Sequence, residues 1–283
     1  MELEIKLVAL PGEPLDDERV VRAASRIGRL KGPPRTIDLQ AAYHDDPAGL
    51  LRDRLWTLRA RREGLATTGT VKGPGQLIDG IPARVEREIQ LARMPKEGEA
   101  LPAELAEALR VAGLKLDAWP PRRFGTRVRR LILDLEVDGA VLELALDRGF
   151  VEAAGRTDEI REVELELKSG PPSAVASAAV SLARALRVRP GGRSKAERGL
   201  GLLGLLHLQP VEPGDDPSTR WASLCELEER RLEGAPYDED LHRQLSDSLE
   251  VGAEPGSDPW AGALWGAFER VIARLAGRHS DPQ

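Results

Sequence analysis

Apolar and polar residues alternate along much of the first part of the chain, which is typical of β-strands with one apolar and one polar face. Glycines and prolines separate the alternating segments, so each segment predicts a strand of its own. The predicted strands cover residues 2–9, 35–43, 55–63, 67–72, 81–91, 126–137, 140–147, 150–154 and 161–168. No regular succession of strand and long helix runs through them. The pattern therefore favours antiparallel pairing closed into a barrel over a parallel sheet.

Helical periodicity predicts three helices before residue 199 and three after it. The predicted helices cover residues 16–30, 102–111, 173–186, 221–232, 238–249 and 259–275. Asp16, Asp17 and Glu18 begin the first of them, where acidic side chains suit the positive end of the helix dipole. In the last helix the large apolar residues fall on one face, which indicates packing. The fold class is therefore α+β.

The composition is that of a globular protein, with 41% hydrophobic and 31% charged residues among 283. The single cysteine, Cys225, excludes an internal disulfide and a cysteine-based zinc site. The longest apolar stretch, residues 200–208, is about half of the roughly 20 residues that a membrane span needs. Residues 1–7 lack the basic region and apolar segment of a signal peptide. We therefore expect a soluble, cytoplasmic protein that does not bind membranes.

The net charge of −6 hides an uneven distribution along the chain. Residues 200–283 contain 16 acidic and 7 basic residues, whereas residues 1–199 contain 31 acidic and 34 basic ones. The first region can therefore face a small polyanion, while the acidic second region is a poor surface for nucleic acid. This contrast predicts two regions, residues 1–199 and an acidic helical region over 200–283. The second is expected to dock a protein partner or a second copy of the chain.

One strand pattern of alternating charges occurs twice, at residues 2–6 and again at residues 162–168. Because residues two apart share a face of a strand, each copy aligns carboxylates and a lysine on one side. Further segments repeat the arrangement, and their charged residues are Arg59 and Arg61, Arg84, Glu86 and Glu88, and Arg127 and Arg129. Such faces can lie in water on an open sheet, or they can line the inside of a closed barrel.

A charged barrel interior is stable only if it is wet and its charges are paired, since unpaired buried charges are costly. Rows of glutamate oxygens suit a hard divalent cation. Rows of arginine and lysine suit a chain of phosphates, which arginine binds through two parallel hydrogen bonds. The repeated in-phase charges thus favour a charged tunnel that holds phosphates together with cations.

Eight short motifs between residues 1 and 199 resemble, in the same order, those of the CYTH domain proteins, a family of triphosphate tunnel metalloenzymes. The chain is most similar to the bacterial inorganic triphosphatases of that family. The motifs are Glu2-x-Glu4-x-Lys6 and residues 43–46, 58–64, 70–73, 84–88, 146–149, 162–170 and 194–199. The first motif alone is weakly specific, but eight motifs in the right order are highly specific.

The resemblance implies an eight-stranded antiparallel tunnel with surrounding helices, which binds a triphosphate together with Mg²⁺ or Mn²⁺. The implied metal ligands are Glu2, Glu4, Asp147, Glu162 and Glu164. Glu166 lies on the same face of its strand, so the resemblance also allows Glu164 and Glu166, in place of Glu162 and Glu164, as the metal ligands of that strand. The implied substrate-binding residues are Lys6, Arg59, Arg61, Lys72, Arg84, Glu86, Arg127, Arg129 and Lys195. The residues expected to take part in catalysis are Glu2, Glu4, Lys6, Glu88 and Lys195.

The expected function is metal-dependent hydrolysis of inorganic tripolyphosphate to pyrophosphate and phosphate. Two other enzymatic functions use the same tunnel, namely hydrolysis of thiamine triphosphate and cyclisation of ATP. A third alternative is a non-catalytic module that binds polyphosphate or nucleotides. Related triphosphatases often continue into a long, basic helical domain called CHAD. Residues 200–283 are too short and too acidic to form a full CHAD domain.

Overall fold

The computed structural model describes residues 2–10, 12–78, 81–253 and 258–278, and these form ten strands and seven α-helices. The strands are β1 (Glu2–Ala9), β2 (Arg29–Leu30), β3 (Arg35–His44), β4 (Thr57–Glu63), β5 (Ala66–Ile78), β6 (Ile81–Leu91), β7 (Arg122–Val137), β8 (Ala140–Ala153), β9 (Arg156–Ser169) and β10 (Val188–Pro190). The helices are α1 (Asp17–Ile27), α2 (Ala103–Val111), α3 (Pro172–Leu186), α4 (Lys195–Leu202), α5 (Pro217–Glu233), α6 (Glu239–Ser248) and α7 (Asp258–Arg278).

Eight antiparallel strands close into a barrel in the order β1-β6-β5-β4-β3-β7-β8-β9, with β9 returning to β1. At the closing seam Glu4 lies opposite Glu166 and Lys6 lies opposite Glu164. The short strand β10 pairs with the end of β1, and β2 pairs with β7. The predicted α+β fold, a closed eight-stranded antiparallel barrel surrounded by helices, is confirmed.

The main hydrophobic core lies outside the barrel, between its outer face and the helices. Alternate residues of β1 point into it, including Ile5 and Leu7, together with leucines and valines of β7, β8 and β9. The helix α3 is rich in alanine and valine and covers β1 with nine buried residues. Because the apolar set of these strands is buried under helices, the polar set has to face the barrel interior.

The C-terminal helices share this core with the barrel wall. The indole Nε1 of Trp265 in α7 donates a hydrogen bond to the carbonyl oxygen of Val188 in β10, at 2.8 Å. Trp221 of α5 stacks on Phe268 of α7 with ring centroids 4.1 Å apart. The two regions that composition distinguishes, 1–199 and 200–283, therefore have one apolar core in common. Among the described residues, no helix is both long enough and apolar enough to cross a membrane.

Several boundaries differ from the predicted ones for local reasons. The segments 140–147 and 150–154 form one continuous strand, β8, because Gly149 lets the backbone of β7 approach closely. A β-carbon at Gly149 would lie only 2.0 Å from the carbonyl oxygen of Arg127. The strand predicted from residue 55 begins at Thr57, since Leu55 adopts a left-handed conformation that ends a short 3-10 turn.

The helix α4 packs across part of the barrel interior. Its Leu200 packs in a second apolar cluster with Tyr43, Phe124 and Ile160, which belong to three different strands. Gly199 permits this contact, because a β-carbon there would lie 2.2 Å from the ring of Phe124. The position of α4 therefore depends on glycine at position 199, where the helix contacts Phe124.

We expect Gly199→Ala to lower the free energy of unfolding by about 1 to 3 kcal/mol, because the methyl group overpacks the contact with Phe124. The matched control is Gly201→Ala in the same helix, where the nearest atom to a new β-carbon is 4.0 Å away. Alanine there should raise stability by about 0.5 to 1 kcal/mol through its helix propensity. Urea unfolding of both variants measures the difference. Equal effects of the two substitutions would contradict the proposed contact.

Candidate active site in the barrel tunnel

The barrel encloses a cavity of about 590 Å³ that is lined mainly by charged side chains. All eight barrel strands and the start of α4 contribute to its wall. Its volume is in the range of small-molecule binding sites in proteins, about 300 to 1,000 Å³. The cavity is therefore large enough for a small polyanion and accompanying cations.

Three carboxylates form a compact acidic cluster on β8 and β9. Oxygen atoms of Asp147, Glu162 and Glu164 lie within 4.8 Å of one another. The ammonium group of Lys195, at the first position of α4, lies 2.6 Å from Asp147 Oδ2, 2.6 Å from Glu162 Oε1 and 2.8 Å from Glu164 Oε1. Lys195 therefore occupies the centre of the acidic cluster.

A second cation, Arg130 of β7, also neutralises this cluster, and a third, Lys6 of β1, lies 3.4 Å from Glu162 Oε1. The Arg130 guanidinium donates two parallel hydrogen bonds of 2.7 Å to the carboxylate of Asp147, and it also bonds to Glu164. The side chains of Asp147 and Glu162 have no exposed surface. Buried charges of this kind are tolerated when opposite charges and hydrogen bonds compensate for lost hydration.

The pKa values of the cluster follow from this pairing. Burial alone would raise the pKa of Asp147 and Glu164, but Lys195 and Arg130 hold both pKa values below their usual range. Burial alone would lower the pKa of Lys195, but the three carboxylates raise it well above its ordinary value. The directions of these pKa shifts keep Asp147, Glu164 and Lys195 ionised at neutral pH.

Glu4 differs from these residues because it lacks a cationic partner in close contact. Among the described residues, none forms a hydrogen bond or an ion pair within 4 Å with its carboxylate. Burial raises the pKa of Glu4 to about 7, the nearby carboxylate of Glu164 adds to this increase, and Lys6 and Lys72 oppose it. Glu4 is thus a carboxyl group that gains or loses a proton near neutral pH.

A basic wall lies across the tunnel, on β4, β5 and β6. Arg59 and Arg61 project from β4, and their nearest carboxylate is Glu88, at 3.8 and 3.4 Å respectively. Lys72 of β5 lies 2.6 Å from Glu2 and 3.5 Å from Glu86. The Nε atoms of Arg59 and Arg61 are buried and have no hydrogen-bond partner among the described residues. These donors are available to oxygen atoms of an anion in the tunnel.

Most of the residues selected from the sequence converge on this cavity. Those that line it are Glu2, Glu4, Lys6, Arg59, Arg61, Lys72, Arg84, Glu86, Glu88, Glu164 and Lys195. Asp147 and Glu162 lie directly behind the lining, in contact with Lys195. Glu166, which shares the face of Glu164, also lines the cavity.

The position expected for Arg127 and Arg129 is wrong, because both lie on the outer face of β7. The side chain of Arg127 is 71% exposed and pairs with Glu152, and that of Arg129 is 45% exposed and pairs with Asp17 of α1. The interior positions of this strand are taken by their neighbours Val128 and Arg130.

The error has a physical reason. On β1 the charged residues point into the barrel. If charged residues are assumed to point inward on β7 as well, Arg127 and Arg129 are selected as interior residues. The odd positions of β7 point outward, and helices cover only its later part, where Leu131, Leu133 and Leu135 are buried in the core. The earlier part is left in water, so charged residues are stable on its outer face. The pairing of β7 with β8 places Arg130 opposite Asp147, and this register is not evident from the alternation of β7 alone.

We expect Arg130→Lys to lower the free energy of unfolding by about 1.5 to 3 kcal/mol, because lysine retains the charge but cannot form both hydrogen bonds to Asp147. The matched control is Arg129→Lys, one position away on the solvated face, with an expected change within about 0.5 kcal/mol. Urea unfolding at neutral pH distinguishes them. An equal loss in both variants would show that the two arginines have similar surroundings.

The carboxylates of the tunnel have the chemistry of a site for Mg²⁺ or Mn²⁺, since both metals prefer oxygen ligands. The buried Oε2 atom of Glu162 has no hydrogen-bond partner among the described residues, and the unpaired Glu4 faces the same cavity. Lys195 Nζ already lies where a cation is attracted by three carboxylates. The residues present therefore fit a divalent cation.

Comparison with known proteins gives a family match and several more distant similarities. A family model of the CYTH domain matches residues 1–200. An inorganic triphosphatase of Haemophilus influenzae is 30% identical over 170 residues, which are 60% of this chain and 47% of that protein. The chain thus spans about half the length of this curated relative.

Solved structures with similar folds include a putative adenylyl cyclase from Hippeastrum, HpAC1, described as having a dominant triphosphatase activity. It is 20% identical, with a TM-score of 0.48, and the match covers 75% of this chain and 99% of that one. The PH1819 protein of Pyrococcus horikoshii OT3 is 20% identical, with a TM-score of 0.45 and coverage of 71% and 99%.

The match to the family model includes all eight barrel strands and the start of α4. It therefore covers every charged residue of the tunnel described above, and it extends over more than half of the chain. The protein is a member of the CYTH domain family, as the order of its motifs predicted.

Proposed function

We propose that this protein hydrolyses inorganic tripolyphosphate to pyrophosphate and phosphate in its barrel tunnel, in a reaction that requires Mg²⁺ or Mn²⁺. The observation that carries the proposal is the opposition of two walls in one cavity inside the barrel. Within the described part of the chain, one wall holds the buried Nε donors of Arg59 and Arg61 without hydrogen-bond partners, and the other holds the buried Oε2 acceptor of Glu162 without one. A phosphate chain accompanied by divalent cations is complementary to both walls.

Substrate binding is assigned to the basic wall and to Lys6 and Lys195, which line the same tunnel. Arg59 and Arg61 are 3.4 to 4.0 Å from their nearest glutamates, longer than the 2.7 to 2.9 Å of strong charged hydrogen bonds. Phosphate oxygens can therefore replace these contacts with shorter ones. Lys6, Lys72 and Lys195 add positive charge along the same cavity.

Metal binding is assigned to the carboxylates of β1, β8 and β9. The residues proposed to hold the metal are Glu2, Glu4, Asp147, Glu162 and Glu164. A bound Mg²⁺ or Mn²⁺ supplies charge neutralisation at the phosphates and orients the attacking water. Lys195, which contacts three of these carboxylates, limits their mutual repulsion before a metal binds.

The chain itself supplies a proton acceptor. Water in the tunnel is a poor nucleophile until it loses a proton, and a carboxylate with a pKa near the working pH is well suited to accept that proton. In the metal-free protein burial raises the pKa of Glu4 to about 7, so Glu4 is the carboxylate assigned to accept the proton. Hydrolysis of a phosphoric anhydride requires positioning and charge stabilisation more than a protein nucleophile. The basic wall and the carboxylates provide both.

An organic triphosphate is the second candidate substrate, favoured by a groove beside the tunnel. This groove has a volume of about 640 Å³ and shares Thr57, Arg84 and Ala196 with the tunnel lining. Apolar side chains such as Trp56 and Leu208 contribute to its wall. An aromatic group attached to a triphosphate, as in thiamine triphosphate or ATP, could occupy it while the phosphates lie in the tunnel.

Phosphate release from tripolyphosphate, thiamine triphosphate and ATP, each with Mg²⁺ and Mn²⁺ and with a chelator, tests the proposal. We expect the highest kcat/KM with tripolyphosphate and no turnover without a metal. A higher value for an organic triphosphate would favour the second candidate. Binding of tripolyphosphate without turnover of any substrate would instead identify a binding module.

A further inference from the structure

The segment that carries Lys195 into the tunnel is held against β1 by its backbone. Gly191 donates a backbone hydrogen bond to the carbonyl oxygen of Lys6 at 3.2 Å. A β-carbon at Gly192 would lie 2.5 Å from the side chain of Val8, so the chain passes very close to β1 there. The side chain of Ser194 then caps α4, and Lys195 is the first residue of that helix.

The other side of this segment is held by an acidic face of α5, formed by Glu226, Glu229 and Glu233. Arg193 is only 6% exposed, and its guanidinium lies 2.8 Å from Glu226 Oε2 and 3.1 Å from Glu233 Oε2. Arg189, on β10, lies 2.5 Å from Glu229 Oε2. Three glutamates of one helix thus bind two arginines that precede the lysine of the tunnel, Arg193 by two positions and Arg189 by six.

The arrangement constrains geometry more strongly than an apolar contact of similar size would. An arginine between two carboxylates has a fixed plane and fixed hydrogen-bond directions, whereas apolar contacts permit sliding. The carbonyl oxygen of Arg193 also accepts a hydrogen bond from Lys6 Nζ at 3.5 Å, inside the tunnel. Only Ser194 separates Arg193 from Lys195, so a shift of Arg193 moves the ammonium group.

We propose that the acidic face of α5 positions Lys195 for triphosphate binding, so that the C-terminal region acts on the tunnel through Arg193. The inference rests on the proposed function and assigns a role to a region outside the residues matched by the family model. Glu226 and Glu233 are positioning residues for tripolyphosphate, since they contact Arg193 and neither of them lines the tunnel. Residues 217–233 therefore contribute to affinity as well as to folding.

The test compares Glu226→Gln/Glu233→Gln with Glu228→Gln. Glu228 lies on the same helix, is buried, and pairs with Arg231 at 2.8 Å and with His242 at 3.3 Å, away from the Lys195 segment. Calorimetry with tripolyphosphate and no metal gives the Kd, and turnover with Mg²⁺ gives kcat and KM. We expect the double variant to raise Kd and KM about tenfold, because small displacements of binding groups have large effects. The control variant should leave both within about twofold of wild type, even if its Tm falls.

A second arm tests whether the effect passes through Lys195. In a Lys195→Gln background, the double substitution should change Kd by less than about twofold, since interacting sites are not additive. The inference is overturned if the double variant loses stability but keeps its Kd and KM. It is also overturned if Glu228→Gln weakens tripolyphosphate binding as much as the double substitution does. This second comparison decides the question if the Lys195→Gln protein does not fold.

The wild-type protein tests the proposed function separately from the positioning role. Wild type that binds tripolyphosphate without hydrolysing it refutes the proposed reaction, and the Kd comparison still decides the positioning role. Wild type that binds no tripolyphosphate refutes both proposals. Hydrolysis by wild type with unchanged constants in the double variant refutes the positioning role alone.

Discussion

Replacing Glu4 by glutamine is expected to lower kcat for tripolyphosphate by about 10²- to 10⁴-fold, the usual contribution of a general acid or base. Glutamine has nearly the same shape but can neither accept the proton of a water molecule nor supply a negative charge to a metal. The carboxylate of Glu4 has no hydrogen bond or close ion pair among the described residues, so its removal leaves no partner unsatisfied. Steady-state phosphate release with saturating Mg²⁺ measures the effect.

The same variant should remain folded, and its stability provides the control. The pKa of Glu4 is about 7 in the folded protein, above the ordinary value of 4.5, so the folded state binds this proton more tightly than the unfolded state. Ionisation of Glu4 therefore removes stability as pH rises from about 4.5 through 7.

In the absence of a metal, Glu4→Gln should accordingly have a higher free energy of unfolding than wild type at pH 8, by about 1 to 2 kcal/mol. This is less than the full pKa shift would give, because water in the tunnel screens the charge of Glu4. At pH 4 the two proteins should be equally stable. Thermal unfolding in a chelator at both pH values measures this. Retention of most activity by the variant, or a loss of stability at pH 8, would remove Glu4 from its proposed role.

Replacing Lys195 by methionine is expected to lower the free energy of unfolding by about 3 to 5 kcal/mol, the typical effect of removing one partner from a buried ion pair. The ammonium group lies within 2.8 Å of Asp147, Glu162 and Glu164, and two of these carboxylates have fully buried side chains. Methionine fills a similar volume, so the loss reports charge and not a cavity. Urea unfolding at pH 7 measures it.

Two comparisons make this prediction specific. Lys168→Met removes a tunnel lysine whose side chain is 40% exposed, and it should cost less than about 1 kcal/mol. Adding Glu162→Gln to Lys195→Met removes one of the three carboxylates and should recover part of the loss. Equal losses at positions 168 and 195, or no recovery in the double variant, would contradict the structure of the cluster.

The pH dependence of the Lys195→Met effect follows from the directions of the pKa shifts. Lys195 and Arg130 lower the pKa of Asp147 and Glu164, so their pairing stabilises the protein above the ordinary carboxyl pKa and is lost as pH falls through the lower folded values. The raised pKa of Lys195 maintains the pairing up to strongly alkaline pH. The difference between wild type and variant should therefore be greatest from about pH 5 to 10 and should shrink in acid.

Local alternation was sufficient to predict the eight strands of the barrel, because the side-chain period of a strand is fixed by its backbone, but the short strands β2 and β10 are too brief to show a period. It was also sufficient for the inward direction of Glu2, Glu4 and Lys6, since the intervening leucine and isoleucine positions need burial under helices. The prediction of two strands separated near Gly149 was wrong. A glycine that ends a strand and a glycine that allows a neighbouring strand to approach closely cannot be distinguished in the sequence.

For this protein, the sequence by itself determined the eight barrel strands, every described α-helix except α4, the charged faces of β1 and β9 and, through the order of its motifs, the family. Only the tertiary structure decided that Arg130 faces the tunnel while Arg127 and Arg129 do not. It also decided that Lys195 lies among three carboxylates and that α5 holds the preceding arginine. The reason is that alternation defines two faces of a strand, whereas their environment depends on which helices and strands, distant in the sequence, cover each face.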